Sequence, residues 1–108
     1  MSKGSIVLVP FPFTDLSGNK VRPALVLYVS KNGEDCVVAF ISSIKQKTQT
    51  QFEIPIKSSN ANGLKTDSIV RVDKIATLQK KIILGDFGKL ELETLNIVDK
   101  KIKQLFLL

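Results

Sequence analysis

The apolar residues of this chain come in short runs, each closed by a turn signal. Runs rich in Val and Ile lie at about 5–10, 23–30, 35–42, 51–56, 68–72, 74–78 and 83–88, with Gly, Pro, Asn and Ser between them. Side chains branched at Cβ favour the pleated backbone, and runs of this length predict strands rather than helices. Asn32-Gly33 predicts a hairpin between the second and third strands. Ser58 to Gly63 predicts a polar loop, and Asp86 to Gly88 also reads as a turn, which leaves the last strand's limits soft. From about Glu91 to Leu107 the period changes: Leu95, Val98, Ile102 and Leu105 recur at helical spacing and form one stripe. Asp99 and Lys103 stand four apart off that stripe, in position for an ion pair worth a few tenths of a kcal/mol. Several short strands and one terminal helix predict a mainly β fold, a strongly bent sheet or small SH3-like barrel with the helix closing one side.

A chain of 108 residues with 44% hydrophobic content makes one domain, residues 1–108, with one real core. No apolar run approaches the ~18 residues of a membrane span. Met1-Ser2-Lys3-Gly4 lacks the profile of a secretory signal. The lone Cys36 has no internal disulfide partner and sits in an apolar run, which predicts a buried strand residue and fits a reducing cytoplasm. The formal charge of +6 points to an anionic partner: RNA, DNA or an acidic protein. The alternative is a lysine-rich surface that serves solubility. Histidine is absent, which removes the commonest general acid/base and the commonest metal ligand. Histidine-paired nuclease chemistry, Ser-His-Asp triads and histidine-held zinc are thereby excluded, and neither a P-loop nor a dinucleotide fingerprint is present. No metal or cofactor is expected.

The segment from Gly4 to Leu27 carries the most chemistry. An apolar strand runs into Pro10-Phe11-Pro12-Phe13, a polar loop spans Thr14 to Lys20, and Arg22-Pro23 leads into a second apolar strand. Arginine keeps its charge at any useful pH, and its planar fork suits phosphate. Pro23 biases Arg22 toward an extended backbone, so a fixed cation is expected at the rim of a sheet. This segment resembles the PemK/MazF toxins of bacterial toxin–antitoxin pairs, through Gly4-Ser5-Ile6-Val7 and then Lys20-Val21-Arg22-Pro23-Ala24-Leu25-Val26. Phe40-Ile41-Ser42-Ser43, Asp67-Ser68-Ile69-Val70 and Asp73-Lys74-Ile75 follow in the family's order, so the resemblance covers nearly the whole chain.

The resemblance implies a MazF/CcdB-like barrel, a homodimer, a cognate antitoxin partner and metal-independent cleavage of single-stranded RNA by its own 2′-hydroxyl. It implies that Arg22 holds the scissile phosphate and that Ser42 donates to a phosphate oxygen. The plain alternative for Arg22 is a surface pair with Asp15 or Asp35. Strand alternation puts Val38, Phe40 and Ser42 on one face and Ser43 on the other, so only one serine shares a face with a given site. Ser43 stands as supporting candidate. Some relatives carry a loop glutamate shortly before the arginine. Leu16 to Val21 holds no carboxylate, and Asp15 is the nearest candidate. Catalysis is then expected from orientation and charge stabilisation, with weak acid/base help. Lys20, Lys45 and Lys47 are expected to track an RNA backbone and Gln46 to read a base edge. Phe11 and Phe13 are candidates to stack on bases, and Ser68 to line the groove. Two further readings stand beside the nuclease: a non-catalytic, gyrase-binding toxin of the CcdB type, and a barrel that binds RNA without cutting it.

Overall fold

The computed structural model of the protein describes residues 1–11, 20–43 and 50–108. Its elements are β1 (Ser5–Phe11), β2 (Lys20–Val29), β3 (Asp35–Ser43), β4 (Glu53–Ile56), β5 (Ser68–Gln79), a 3₁₀ turn (Lys80–Ile82), β6 (Gly85–Lys89) and α1 (Leu92–Leu105). The strands form one antiparallel sheet in the order β4-β5-β3-β2-β1-β6. The expected strands 68–72 and 74–78 are one strand. β3 pairs with both halves, Ala39 opposite Ile75 and Phe40 opposite Arg71, so Val72-Asp73-Lys74 is a bulge inside β5. Further register shifts fall at Ile6/Val7 and Val26/Tyr28. Bulges bend a strand and sharpen its twist, and together they curl the sheet into a half-barrel. The Asn32-Gly33 hairpin forms, with a loop of residues 30–34 closed by the Ser30 N–H donating to the Asp35 carbonyl at 3.0 Å.

Both faces of the sheet are apolar. Ile6, Leu25, Ala39, Ile41, Val70 and Val72 point into one cluster, Val7, Val9, Ala24, Val26, Cys36 and Val38 into the other. Helix α1 covers the first cluster. Val98 is fully buried there, and Leu95, Ile102 and Leu105 pack beside it, as the stripe predicts. Asp99 does not turn to Lys103; it pairs with Lys3 at 3.0 Å and pins the N-terminal segment to the helix. Cys36 is a buried free thiol, and burial, with the Asp35 charge beside it, pushes its pKa up. A protonated thiol in such a place is a packing group.

The polar loop closes the half-barrel. The sheet ends in β4 on one side and β6 on the other, and residues 57–64 reach across between them. The Lys89 N–H donates to the Ala61 carbonyl at 2.8 Å. Asn62 is fully buried inside this loop. Its Oδ1 accepts from the Ser59 and Leu64 N–H groups at 3.1 and 3.0 Å, and its Nδ2 donates to the Lys57 carbonyl at 2.8 Å and to Glu91 Oε1 at 3.1 Å. Every hydrogen-bonding site of the amide is thus used, which is what burial of such a group demands. Gly63 takes φ +70°, a region that favours glycine. At Gly88 a Cβ would come to 2.1 Å from the Asn62 carbonyl oxygen, so β6 and the loop touch backbone to backbone.

Glu91 stands at the N-cap position of α1, and its carboxylate, instead of bonding the helix, completes this network by accepting from Ser59 Oγ at 2.6 Å. The Ser59 hydroxyl, with help from the Asn62 amide, holds its carboxyl below the usual glutamate range. A depressed folded pKa means that Glu91 stabilises the fold above the unfolded value, and that this contribution disappears as pH falls through the folded one. The melting temperature of the wild type is therefore expected to fall on acidification below the ordinary glutamate range. Glu91→Gln should start lower at neutral pH and lose less over the same window. Parallel curves from thermal melts at a series of pH values would contradict this.

Candidate functional site

The site is assembled at the end of the sheet where β2 begins and β3 finishes. β1 pairs with β2 through Val9 opposite Arg22, so Arg22 is held in regular strand. The β2–β3 register ends with Ala24 opposite Phe40. Carried two residues further, it sets Arg22 opposite Ser42, and strand alternation places both on the face that holds Ala24 and Val26. Both side chains are half-buried, and Lys20, two residues before Arg22 on the same face, is exposed. Arg22 and Ser42 thus stand on one face near one end of the sheet, with Lys20 two residues from Arg22.

Asp35 cannot serve as the partner of Arg22. It lies at the far end of β3, seven residues from Ser42, roughly 23 Å away at the rise of a strand. Ser43 is exposed and Ser68 is 4% exposed; they oppose each other across β3 and β5 on the α1 face of the sheet, away from the Arg22 face. Ser68 spends its hydroxyl on the Thr66 carbonyl at 2.9 Å, and Asp67 accepts from the Ser58 N–H at 2.9 Å. The structure therefore places Arg22, Ser42 and Lys20 on one face of the sheet and Ser43 and Ser68 on the other. Phe11 ends β1 opposite Lys20. Phe13, Asp15, Lys45, Gln46 and Lys47 lie outside the described residues.

One residue of this face escaped the sequence reading. Arg71 opposes Phe40, so it shares the face of Ser42 and stands diagonal to it, a spacing of about 7–8 Å. Its Nε is buried and has no hydrogen-bond partner among the described residues. Glu53 opposes it on β4, yet no ion pair within 4 Å forms between them. A buried guanidinium nitrogen left without an acceptor is a costly arrangement in a folded protein, and an anion arriving at this face would relieve it. The signal was a lone cation inside the apolar run Ile69-Val70-Arg71-Val72. Only the pairing with β3 shows which way it faces.

The arrangement suits one kind of chemistry. Two arginines and a serine on one face near one end of the sheet supply fixed positive charge and a hydrogen-bond donor. That is a site for a tetrahedral oxyanion, and a phosphodiester is the anion whose geometry matches a guanidinium fork.

Comparison with curated proteins found no match. Among solved structures, MazF from Deinococcus radiodurans superposes with a TM-score of 0.79 at 18% identity, over 100% of this chain and 97% of that one. The Mycobacterium tuberculosis toxin MazF-mt6 gives a TM-score of 0.76 at 21% identity, over 96% and 97%. An endoribonuclease from a mycobacterial species, solved in complex with its cognate antitoxin, gives 0.74 at 20% identity, over 100% and 96%. At these identities the likeness speaks for the fold, a curled antiparallel sheet with one C-terminal helix. The sequence pattern of the PemK-like, MazF-like toxins of type II toxin–antitoxin systems matches residues 2–106, and the chain belongs to that family.

Proposed function

We propose that the protein is a metal-independent endoribonuclease that cleaves single-stranded RNA in the cytoplasm and is neutralised by a cognate antitoxin. The observation that carries this reading is the placement of Arg22, Ser42 and Arg71 on one face at one end of the sheet. In the step we propose, the RNA 2′-oxygen forms a bond to the adjacent phosphorus while the bond from phosphorus to the 5′-oxygen breaks. The 2′-hydroxyl proton leaves to solvent, and the departing 5′-oxygen takes a proton from solvent. Arg22 neutralises the non-bridging oxygens as charge builds on them, and Ser42 Oγ donates a hydrogen bond to one of them. Arg71 holds the phosphate group from the β5 side, and Lys20 follows the backbone out of the site. Fixed donors aimed at developing charge need no reorganisation during the reaction, which is the main source of rate in a site without histidine. The products are a 2′,3′-cyclic phosphate and a 5′-hydroxyl. End-group analysis of cleaved RNA tests the reading, together with an RNA whose riboses are 2′-deoxy at the cut position. The deoxy strand should stay intact while the all-ribose strand is cut there.

Two features favour the nuclease over a gyrase-binding toxin. Such a toxin has no use for a guanidinium–hydroxyl pair at a sheet rim, nor for a second arginine poised to receive an anion.

The functional unit we propose is a homodimer. A groove of about 480 Å³ runs between α1 and the sheet; Leu27, Tyr28, Val37, Ile75, Ile102 and Phe106 form its apolar lining, and Lys3, Asp99 and Lys103 line it too. Tyr28 and Phe106 are each more than half exposed. Apolar surface gathered in this way marks a contact with another protein. The wild type should sediment as a dimer, and Phe106→Glu, which replaces an exposed apolar ring of the groove with a carboxylate, should shift it to monomer. Equal masses for the two proteins by analytical ultracentrifugation would count against this surface.

A further inference from the structure

The chain contains two Asn-Gly pairs, Asn32-Gly33 and Asn62-Gly63, and the fold gives them opposite environments. We propose that Asn32 is a site of spontaneous deamidation in the folded protein and that Asn62 is protected from it. In the reaction the backbone nitrogen of Gly33 attacks the side-chain carbonyl carbon of Asn32. The new C–N bond closes a succinimide ring, the side-chain amide leaves as ammonia, and the Gly33 nitrogen loses its proton to solvent. Water then opens the ring at either carbonyl and gives aspartate or isoaspartate. One neutral amide becomes one carboxylate, and no oxidant or cofactor is needed. Glycine as the following residue matters because it has no Cβ to block the approach.

At Asn32 nothing opposes this course. Asn32, Gly33 and their neighbours Lys31 and Glu34 are all exposed. The Asn32 amide makes no hydrogen bond to any described residue, and the Gly33 N–H is held only by an exposed bond to Ser30 Oγ at 2.9 Å. A single exposed side-chain bond in a loop opens readily, which leaves the nitrogen and the amide carbon able to meet. At Asn62 each requirement fails. The side chain is fully buried, its Oδ1 accepts two backbone N–H bonds, and its Nδ2 donates to Lys57 and Glu91. The attacking nitrogen, Gly63 N, donates to the Ser59 carbonyl at 3.0 Å. Rotating the Asn62 amide toward Gly63 would break four bonds at once.

The modification adds one negative charge next to Glu34 and Asp35, and so lowers the formal +6 by one. It lies at the hairpin end of β2 and β3, the end opposite to Arg22 and Ser42. It should therefore alter the charge of that tip without changing RNA cleavage.

The test is prolonged incubation of the folded protein in mildly alkaline buffer, with aliquots digested and the aspartate and isoaspartate forms at both positions quantified by mass spectrometry. Labelling with an isoaspartyl methyltransferase gives an independent count. The deamidated fraction should grow at Asn32 and stay near its starting level at Asn62, whereas in guanidinium chloride the two sites should react at similar rates. Gly33→Ala should slow reaction at Asn32 by roughly an order of magnitude, because its Cβ obstructs the ring closure. Equal rates at both sites in the folded protein would overturn the proposal, as would an Asn32 that stays intact when folded and reacts only after denaturation.

Discussion

Arg22→Ala is expected to lower RNA cleavage by about 10²–10³-fold, the loss that follows removal of one fixed donor from a site of charge stabilisation. The loss should appear in kcat more than in KM. Arg22 shares a face with Ser42 near the end of the sheet, and in the proposed step it neutralises the phosphate whose charge rises in the transition state, while the lysines and Arg71 would continue to hold the strand. Arg22→Lys should recover only part of the rate. A lysine restores the charge, but a point charge does not replace a planar fork that can bond two phosphate oxygens together. The expected order is wild type, then Lys, then Ala. Single-turnover cleavage of one RNA by the three proteins checks it. Equal rates for Lys and Ala would show that charge contributes nothing, and a rise in KM alone would move Arg22 from the reacting phosphate to a flanking one.

The second large effect concerns stability. Asn62→Leu is expected to cost about 3–5 kcal/mol, since a buried donor or acceptor left unpaired costs about 1–3 kcal/mol each. The substitution strands the Ser59 and Leu64 N–H groups, the Lys57 carbonyl and one oxygen of Glu91. Against a total of roughly 5–15 kcal/mol for a domain, that is a large share, and a drop in melting temperature on the order of 15–30 °C follows for a chain of this size. Asn62→Asp separates packing from hydrogen bonding. It keeps the shape and the acceptor oxygen, but it removes the donor that faces Glu91 and sets two carboxylates side by side. Its deficit should therefore shrink as the pH falls and one of the pair takes a proton, whereas the deficit of the leucine variant should not follow that course. Melting curves of the three proteins at neutral and acidic pH decide the matter. A fall of only a few degrees for Asn62→Leu would mean that the loop closing the half-barrel is held by other contacts.

The parts of the fold that were legible in the sequence are those set by local period. The runs at 5–10, 23–30 and 35–42 are strands because their β-branched residues alternate or stay apolar between clear turn signals, and α1 shows in its stripe because Val98 and its neighbours recur at helical spacing. Where pairing decides, local period misleads. Asp73-Lys74 interrupts an apolar run and reads as a strand end, yet β3 continues along both sides of it and turns it into a bulge. Asp99 stands at the right spacing for Lys103, but tertiary packing brings Lys3 closer. The loop from Ser58 to Gly63 looks like ordinary solvent-facing chain. Its fully buried asparagine depends on Glu91, which is far along the sequence and adjacent only after folding.

The site follows the same division. That Arg22 is a fixed cation at a strand entry is evident from Arg-Pro alone. That Ser42 and not Ser43 shares the face of Arg22 is a question of register: strand alternation separates the two serines, and only the pairing of Ala24 with Phe40 shows which of them lies on the Arg22 side. Arg71 was missed because a single charge in a strand carries no mark of the face it will take. Its orientation comes from Phe40 on the neighbouring strand and its interest from the unpartnered Nε. Neither observation exists in a one-dimensional sequence.

The decisive experiment is incubation of the purified protein with a long, largely single-stranded RNA in excess EDTA, beside the Arg22→Ala protein. The wild type should give discrete fragments that end in a 2′,3′-cyclic phosphate, and the variant should leave the RNA intact at the same protein concentration. RNA left whole by the wild type over a wide range of pH and concentration would contradict the proposed function, as would fragments made equally well by Arg22→Ala.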